Sequence, residues 1–476
     1  MDSNPNLKSK LQTQHILEES GSHPIFLTRV EVNGGEQFSD TFFEKLLTPL
    51  FEHGDYTLTQ LVDCIHQSEA RLIKTGVFSD ISARLQPDFY SNIPAYIKKY
   101  NKEKSLRTKV VFNLESINLN SIDGFLNFNT EDYLNIKLNY LDNNVNQNAE
   151  LLNIGVDYNP YKPNDHLIAN AKILSTLKNP AYKLMLDISH VQQNNQIWQK
   201  ANEGVTGGIL GVLYNHSDKL NIFSGVSLYN RSVYDIDESS ASDDLKSFNG
   251  DYLKSSLVNQ ISLNKLNYLN PITKNFPSGG YDLTLNNEIS SNQEQKNSIN
   301  HGEFIKSALS YNYYKSLFNN YITTRIQADM GAIFPMDSNK ITVHSSDKFY
   351  LGGYNSFSGF TRNSIQPQGG LQFYKLQGTI YSKIPKFLYQ PPSHIPSDDQ
   401  NPLRFYADGI IGNVSNNIMD DDSGAISGGV GLKYFSNWAN LDIGYYVSQR
   451  VKSDNNIGIK DGLQFSISIG SSLRTS

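Results

Sequence analysis

From about residue 119 to the end of the chain, apolar and polar residues alternate with a period of two. Leu152, Ile154, Val156 and Tyr158 are interleaved with Asn153, Gly155, Asp157 and Asn159. Leu184, Leu186 and Ile188 follow the same rule, as do Leu220, Ile222, Val226 and Leu228, and Tyr281, Leu283 and Leu285. In 322–331 the polar positions are Thr323, Arg325, Gln327 and Asp329, and near the end Leu441, Ile443, Tyr445 and Val447 alternate again. A strand turns successive side chains to opposite faces, so each segment carries one apolar and one polar face. About sixteen such segments begin near residues 121, 132, 150, 166, 181, 204, 219, 252, 280, 303, 321, 370, 403, 423, 439 and 462, separated by Asn/Asp/Gly/Ser/Pro clusters. An even set of antiparallel strands with one apolar face predicts a closed transmembrane barrel. Closure is required because lipid offers no partner to an open strand edge. A soluble β-sandwich or solenoid is the competing fold on periodicity alone. Two stretches depart from the rule: 205–214 is apolar on both faces, and Lys375 falls awkwardly in 370–385, which points to a bulge or a plugged interior.

Composition narrows the class. The 476-residue chain has 28 Tyr and 24 Phe, and its formal net charge is −6. Aromatic abundance without any long apolar run fits strands that show lipid only every second residue. The acidic balance argues against a nucleic-acid partner. The single cysteine, Cys64, excludes an internal disulfide and a cysteine-based metal site. No nucleophile–base pair, phosphate loop or metal cluster stands out, so no catalytic residue, no cofactor and no enzymatic activity are expected. The first residues, MDSNPNLKSKLQTQHILEESGSHP, lack the apolar core and cleavage site of a secretory signal, and residues 1–23 are expected to be a flexible tail.

Residues 24–118 have a different rhythm. PIFLTRVEV, 24–32, has strand composition and ends at Gly34-Gly35. Thr41 and Glu44 form a candidate capping box ahead of Phe43, Leu46, Leu47, Leu50 and Phe51 at helical spacing, cut short by Pro49 and Gly54. Thr57 and Gln60 form a second box, and Leu58, Leu61, Val62, Ile65, Leu72 and Ile73 line a longer helix that Gly76 ends. Cys64 lies beside that stripe, as a small, partly buried side chain. The segments 77–85 and 106–114 read as strands. The order is strand, helix, helix, strand, strand.

Between the eleventh and twelfth barrel segments lies a long connection, about 336–369, containing FYLGGYNSFSGF, 349–360. Gly352, Gly353 and Gly359 permit positive φ and close packing. Phe357 and Phe360 would be misplaced in a merely solvated loop, so this one is expected to fold back inward. A glycine-rich hairpin turn is the plainer alternative.

The strand–helix–helix–strand–strand order, with Thr75-Gly76-Val77-Phe78 at the junction, resembles a POTRA domain. A POTRA-like domain ahead of a sixteen-strand pattern resembles the outer-membrane β-barrel assembly superfamily. Its signature loop carries Gly-Gly and then Arg-Gly-Phe; here Leu351-Gly352-Gly353 is followed by Phe357-Ser358-Gly359-Phe360. The resemblance covers nearly the whole chain after residue 23. Within the superfamily, a single POTRA-like domain without a signal points to the mitochondrial branch, the central barrel of the sorting and assembly machinery. One residue departs from the pattern, because Ser358 stands where the family has arginine. A hydroxyl cannot make a bidentate charged contact. Arg404, Tyr406 and Asp408 fall on one strand face, and Asp408-Gly409 matches the family's acidic partner segment, which makes these four the expected anchoring wall; Arg404 or Arg362 is the candidate for the missing charge near Asp408, and the alternative is a looser loop held only by Phe357 and Phe360.

At the C-terminus, Lys460, Gly462, Leu463, Phe465 and Ile467 fit polar-x-Gly-x-x-hydrophobic-x-hydrophobic, the sorting signal of mitochondrial outer-membrane barrels. The family's mechanism is a lateral gate between first and last strands. The first would be the polar, poorly patterned segment 120–129, with Ile122, Asp123, Gly124, Phe125, Leu126 and Asn127. The implied function is insertion of β-barrel precursors into the mitochondrial outer membrane, with the POTRA domain in the intermembrane space. A porin-type diffusion channel is the alternative. Implied partners are the lipid bilayer, β-barrel precursors, peripheral subunits on the cytosolic side and intermembrane-space chaperones at the POTRA domain. The insertion Lys386–Pro402 and the acidic loop Asp235–Asp251 are candidate partner-docking segments.

Overall fold

In the computed structural model the described residues are 18–52, 55–89, 105–131, 133–217, 219–269, 276–294, 300–336, 343–385, 388, 401–419, 423–436, 438–452 and 458–474. The N-terminal unit contains β1 (Pro24–Asn33), α1 (Asp40–Leu46), α2 (Thr48–Phe51), β2 (Asp55–Thr57), α3 (Leu58–Thr75), β3 (Phe78–Pro87) and β4 (Leu106–Ser116). Its sheet has the order β2-β1-β4-β3, with β1 and β4 parallel and the other pairs antiparallel. The helices cover one face, burying Phe42, Leu46, Leu50, Leu61, Ile65 and Leu72 against Ile25, Val110 and Phe112. The second capping box forms as the spacing predicts: Thr57 caps Gln60, and Gln60 caps Thr57 in return. Gly76 ends α3 at φ +80°.

Four expectations for this unit change. The first helix is capped by Ser39, whose hydroxyl accepts from the Phe42 amide, not by a Thr41–Glu44 box. Pro49 splits the first helical stretch, opening α2 where its missing amide proton costs nothing. The three-residue strand β2, too short to show periodicity, adds an edge beside β1. Ile73 is 61% exposed and lies off the α3 stripe. Of the expected tail, residues 1–17 lie outside the described residues; Gly21 and His23 accept hydrogen bonds from the Thr59 and Leu58 amides at the start of α3.

Cys64 is partly buried on α3, and burial is the main cause that pushes its thiol pKa up, with Asp63 and Glu52 adding to it. A raised pKa means less thiolate at any given pH. Alkylation by iodoacetamide at pH 8 should therefore run slower than for a free thiol, and reach the free rate in urea. Equal rates in both states would count against this burial.

The barrel is one closed antiparallel sheet of sixteen strands. These are β5 (Asn120–Asn129), β6 (Tyr133–Val145), β7 (Glu150–Tyr158), β8 (His166–Thr176), β9 (Tyr182–Asn194), β10 (Asn202–Ser217), β11 (Leu220–Tyr234) and β12 (Gly250–Tyr268). They continue with β13 (Pro277–Glu294), β14 (Asn300–Leu317), β15 (Ile322–Pro335), β16 (Gln372–Lys383), β17 (Leu403–Ser415), β18 (Gly424–Phe435), β19 (Ala439–Val451) and β20 (Gly462–Arg474). The alternation sorts side chains as predicted. Leu184, Ile188, Leu210, Val226, Leu228, Leu257, Ile326, Leu376, Val430 and Val447 form an exposed apolar belt outside, the surface a bilayer requires.

The two irregular stretches are resolved by the interior. Lys375 points into the lumen, 5% exposed, and pairs with Asp329 on β15 at 3.0 Å. On β10, Gly211 faces Gly225 of β11, and the Phe223 ring lies where either would carry a Cβ. An aromatic thus covers two bare backbones, which is why both faces there read as apolar.

The wall is uneven. β12, β13 and β14 run 19, 18 and 18 residues, whereas β5 and β7 run 10 and 9. The N-terminal unit sits below the short side. The Ser39 amide donates to Gln147 O at 2.8 Å and its hydroxyl to Asn148 Oδ1 at 2.7 Å, both in the β6–β7 turn. Ala149 of that turn is buried in the core of the α+β unit.

Candidate functional site: the inward loop and the closing seam

The connection between β15 and β16 enters the barrel, and residues 337–342 of it lie outside the described residues. Its base is tied by Phe349 and Gly370, whose amides donate to each other's carbonyls at 2.9 and 3.0 Å. The Gly352-Gly353 step then turns the chain at φ +127° and +101°. The Gly353 amide donates to Phe360 O at 3.1 Å and the Phe357 amide to Gly353 O at 2.7 Å, closing a tight turn. Phe357 and Phe360 are 0% exposed and meet edge to face at 5.4 Å. They pack with Leu351 and Ile365 on Ile410 and Val414 of β17 and Ala425 of β18. The fold-back reading holds, and the plain hairpin does not.

Gly359 lies tight against the wall. An added Cβ would lie 2.5 Å from Ser427 Oγ and 3.0 Å from Ser448. Its carbonyl accepts from Ser448 Oγ at 2.5 Å and from the Lys460 amide at 2.8 Å, and its amide donates to Gln464 Oε1 at 3.3 Å. The Thr361 amide donates to Gly458 O at 2.8 Å. Arg450 of β19 holds the outgoing limb, donating to Ile365 O at 3.1 Å and Ser364 O at 2.6 Å. On the other side of the seam, the position of a Gly353 Cβ lies 3.0 Å from Glu131 Oε2, in the turn just past β5. The loop therefore touches both strands' sides of the closure.

That closure joins β20 to β5 through nine register pairs, from Ser466 opposite Asn129 to Arg474 opposite Ser121. The β12–β13 pair opposite it has seventeen. Ile122, Leu126 and Phe128 point outward, with Gly124 between them, so β5 alternates better than its polar composition suggested. Asp123, Phe125 and Asn127 occupy the inward positions, and the Phe125 ring covers Gly470. Leu463 is 63% exposed on the outer face, Ile467 lies opposite Phe128, and the Phe465 and Phe128 rings meet at 5.5 Å. Gly462 takes φ +113° where β20 begins. Lys460 Nζ reaches across to Thr130 O at 3.1 Å.

The anchoring wall differs from expectation. Ser358 is buried and donates to Tyr354 O at 2.9 Å. Tyr406 is buried in the lumen and its hydroxyl meets Tyr446 OH at 2.9 Å. Asp408 also points inward, but it accepts from Gln377 Nε2 at 2.8 Å and Thr379 Oγ1 at 2.9 Å. Neither candidate arginine is among its partners within the described residues. Arg404 donates to Asn401 O at 2.8 Å and Leu403 O at 3.1 Å and lies over the Phe276 ring. Arg362 faces a cavity of about 850 Å³ at the mouth away from the N-terminal unit, beside Glu131, Trp198, Tyr350 and Lys460. Gly409 is on the outer side, with nothing within 4 Å of an added Cβ, and anchors nothing. A polar cavity of about 190 Å³ lies beside Ser358, between Asp408, Asp442 and Arg325.

The firmest polar anchor of the loop was missed. Asp347, in a 3-10 turn over Ser345–Asp347, is 1% exposed. Arg231 of β11 grips its carboxylate at 2.7 and 3.0 Å, Lys254 of β12 at 2.6 Å and Asn292 of β13 at 3.1 Å. Each of these residues, taken singly, is an ordinary lumen-facing polar position, and no local pattern joins them to residue 347. Of the two suggested docking segments, 386–387 and 389–400 lie outside the described residues. The acidic loop folds into α4 (Asp243–Ser247), buries Leu245 with Val233 and Ala201, and places Asp244 3.4 Å from Lys348. Among the described residues no group of His, Cys, Asp and Glu is arranged to hold a metal.

The Omp85 superfamily domain matches residues 118–471 of the chain. In structure the chain is similar to BamA from Haemophilus ducreyi lacking POTRA domains 1–3, with TM-score 0.73 and 13% identity over 99% of this chain and 94% of that one. It is also similar to CdiB from Acinetobacter baumannii, with TM-score 0.53 and 15% identity over 94% of this chain and 74% of the other. At such identities the likeness is one of fold. No curated protein matches by sequence. With the superfamily domain matched along nearly the whole barrel, the chain belongs to the Omp85 superfamily.

Proposed function

We propose that this protein inserts β-barrel precursors into the mitochondrial outer membrane through the β5–β20 seam, with its POTRA domain in the intermembrane space. Superfamily members are β-barrel insertases or secretion transporters. The observation that carries the insertase reading is the seam: it joins the chain's first and last barrel strands in the short side of the wall, where β19–β20, β6–β7 and β7–β8 share eight register pairs each and the seam nine, and it is braced from within by a loop that touches both sides. In lipid an unpaired strand edge is prohibitively costly, so the seam opens by exchange, an incoming strand replacing β5 or β20 pair by pair. The loop fills the lumen beside β17–β20, which weighs against a wide diffusion path. The mitochondrial assignment rests on the Lys460–Ile467 pattern, which occupies the start of β20. Precursors and peripheral subunits of the assembly complex are the partners, and no covalent chemistry is involved.

The test seals the seam. Asn127 and Ser468 face each other in register. Cysteines there, in a Cys64→Ser background, should on oxidation stop assembly of an imported porin-type precursor, and reduction should restore it. Unchanged assembly with the disulfide fully formed would overturn the proposal.

A further inference from the structure

The loop that braces the seam is also tied to the far side of the barrel. Counting around sixteen strands from the β5–β20 closure, the pair directly opposite is β12–β13. Asp347 is bound there. Its carboxylate is shared by Arg231, Lys254 and Asn292, and Lys306 of β14 donates to its main-chain carbonyl at 2.7 Å. Lys254 is in turn paired with Glu288 at 2.6 Å, so the basic cluster is itself held in place. Arg231 and Lys254 are 7% and 4% exposed. A carboxylate in such a place cannot trade these partners for water, and removing one side strands the other as buried charge. At its other end the loop is held by packing and by hydrogen bonds, among them those of Arg450 to Ser364 O and Ile365 O. Ser358 offers a hydroxyl to a carbonyl, and the apolar pair Phe357 and Phe360 supplies the contact.

We propose that Asp347 is the positioning residue that sets where the loop stands in the lumen, an acid on the loop seated in a basic wall opposite the seam. The loop is then a strut across the barrel, pinned by charge at the back and resting by packing at the front. Loosening the pin eases release of the front, which is then held by apolar packing, by Arg450 on Ser364 O and Ile365 O, and by the hydrogen bonds of Gly359 with Ser448 and Gln464. That the released front unlocks the seam for precursors rests on the insertase reading above.

The experiment reads loop position without any precursor. Ser358, a residue of the loop itself, is 5% exposed while the loop is docked, so Ser358→Cys in the Cys64→Ser background reports docking by its labelling rate with a water-soluble maleimide. Folded barrel is separated from unfolded by its mobility on unheated gels, and only the folded band is scored. Asp347→Asn should speed labelling about tenfold or more, as expected when a local opening is made easier. Lys306→Met, which removes the contact to the Asp347 carbonyl and the ammonium 4.7 Å over the Phe349 ring but leaves the carboxylate's partners in place, should give a smaller rise and serves if Asp347→Asn folds poorly. Asp329→Asn breaks the Lys375 pair, a charge contact made within the wall between β15 and β16, and should leave labelling unchanged. Unchanged labelling in folded Asp347→Asn and Lys306→Met barrels overturns the anchor, as does an equal rise in Asp329→Asn. Faster labelling with normal precursor assembly keeps the anchor and overturns the seam reading instead.

Discussion

Gly352→Ala should be among the most damaging single substitutions in the barrel, although it adds one methyl group. The residue sits at φ +127°, and a Cβ there would meet Thr361 O at 2.4 Å, Ser364 N at 2.8 Å and Asn363 N at 2.9 Å. All three are main-chain atoms of the loop's own return limb, which has no rotamer to move. The positive φ alone costs on the order of 1–3 kcal/mol for a side-chain-bearing residue. Overpacking against fixed atoms adds roughly 1–3 kcal/mol more. Unfolding of the purified barrel in urea, followed by gel mobility, should show a loss of about 2–6 kcal/mol, reported as a lower midpoint. Gly378→Ala is the matched control. Gly378 lies on the outer face of β16 with nothing within 4 Å of an added Cβ, so its cost should stay within about 0.5 kcal/mol. Equal midpoints for the two variants would show that the turn at Gly352 is not constrained as described.

Phe360→Ala should cost about 3–5 kcal/mol, the usual range for removing a fully buried phenylalanine. The ring is 0% exposed, lies against Phe357 and stands beneath the Arg450 guanidinium. Its loss leaves a void among Leu351, Ile365, Val414 and Ala425, which belong to a strand wall and a tied turn and cannot collapse into it. The same substitution loosens the segment just before β20, because Ile459 packs its side chain against the apolar cluster that Phe360 belongs to. Two readouts should therefore move together: a lower urea midpoint, and faster disulfide reduction of an Asn127–Ser468 cysteine pair across the seam. Phe405→Ala, on the outer face of β17, should leave the seam readout unchanged. If Phe360→Ala lowered the midpoint without any change at the seam, the loop would be a core element with no hold on the closure.

Much of this was legible in the residues. The sixteen starting points fall within a few residues of the observed strands because the period of two is imposed by the pleat and sustained by lipid outside. The α3 capping box, Gly76 and the inward fold of the Gly-Gly loop were legible for the same kind of reason, since each is a local rule with a local cause. The failures have causes too. The first strand looked polar because Asp123 and Asn127 flank Phe125 on its inward row and Gly124 interrupts its outward one, while Ile122, Leu126 and Phe128 still face out. Lys375 looked misplaced because a lone strand cannot show the Asp329 beside it. The substitute charge was sought in Arg404 or Arg362, near in sequence to the wall and the loop, and the structure puts neither on Asp408.

The sequence by itself determined the wall: how many strands, which residue of each faces lipid, and where the glycines let the long connection turn inward. Tertiary structure alone decided what the connection holds. Asp347 lies 116 residues from Arg231 and 93 from Lys254, and they meet because closing a sixteen-stranded sheet brings the wall opposite the seam within reach of a loop in the lumen. Alternation is a property of neighbours along one strand. Charge pairing across a lumen depends on barrel closure and register, and no window of sequence contains either.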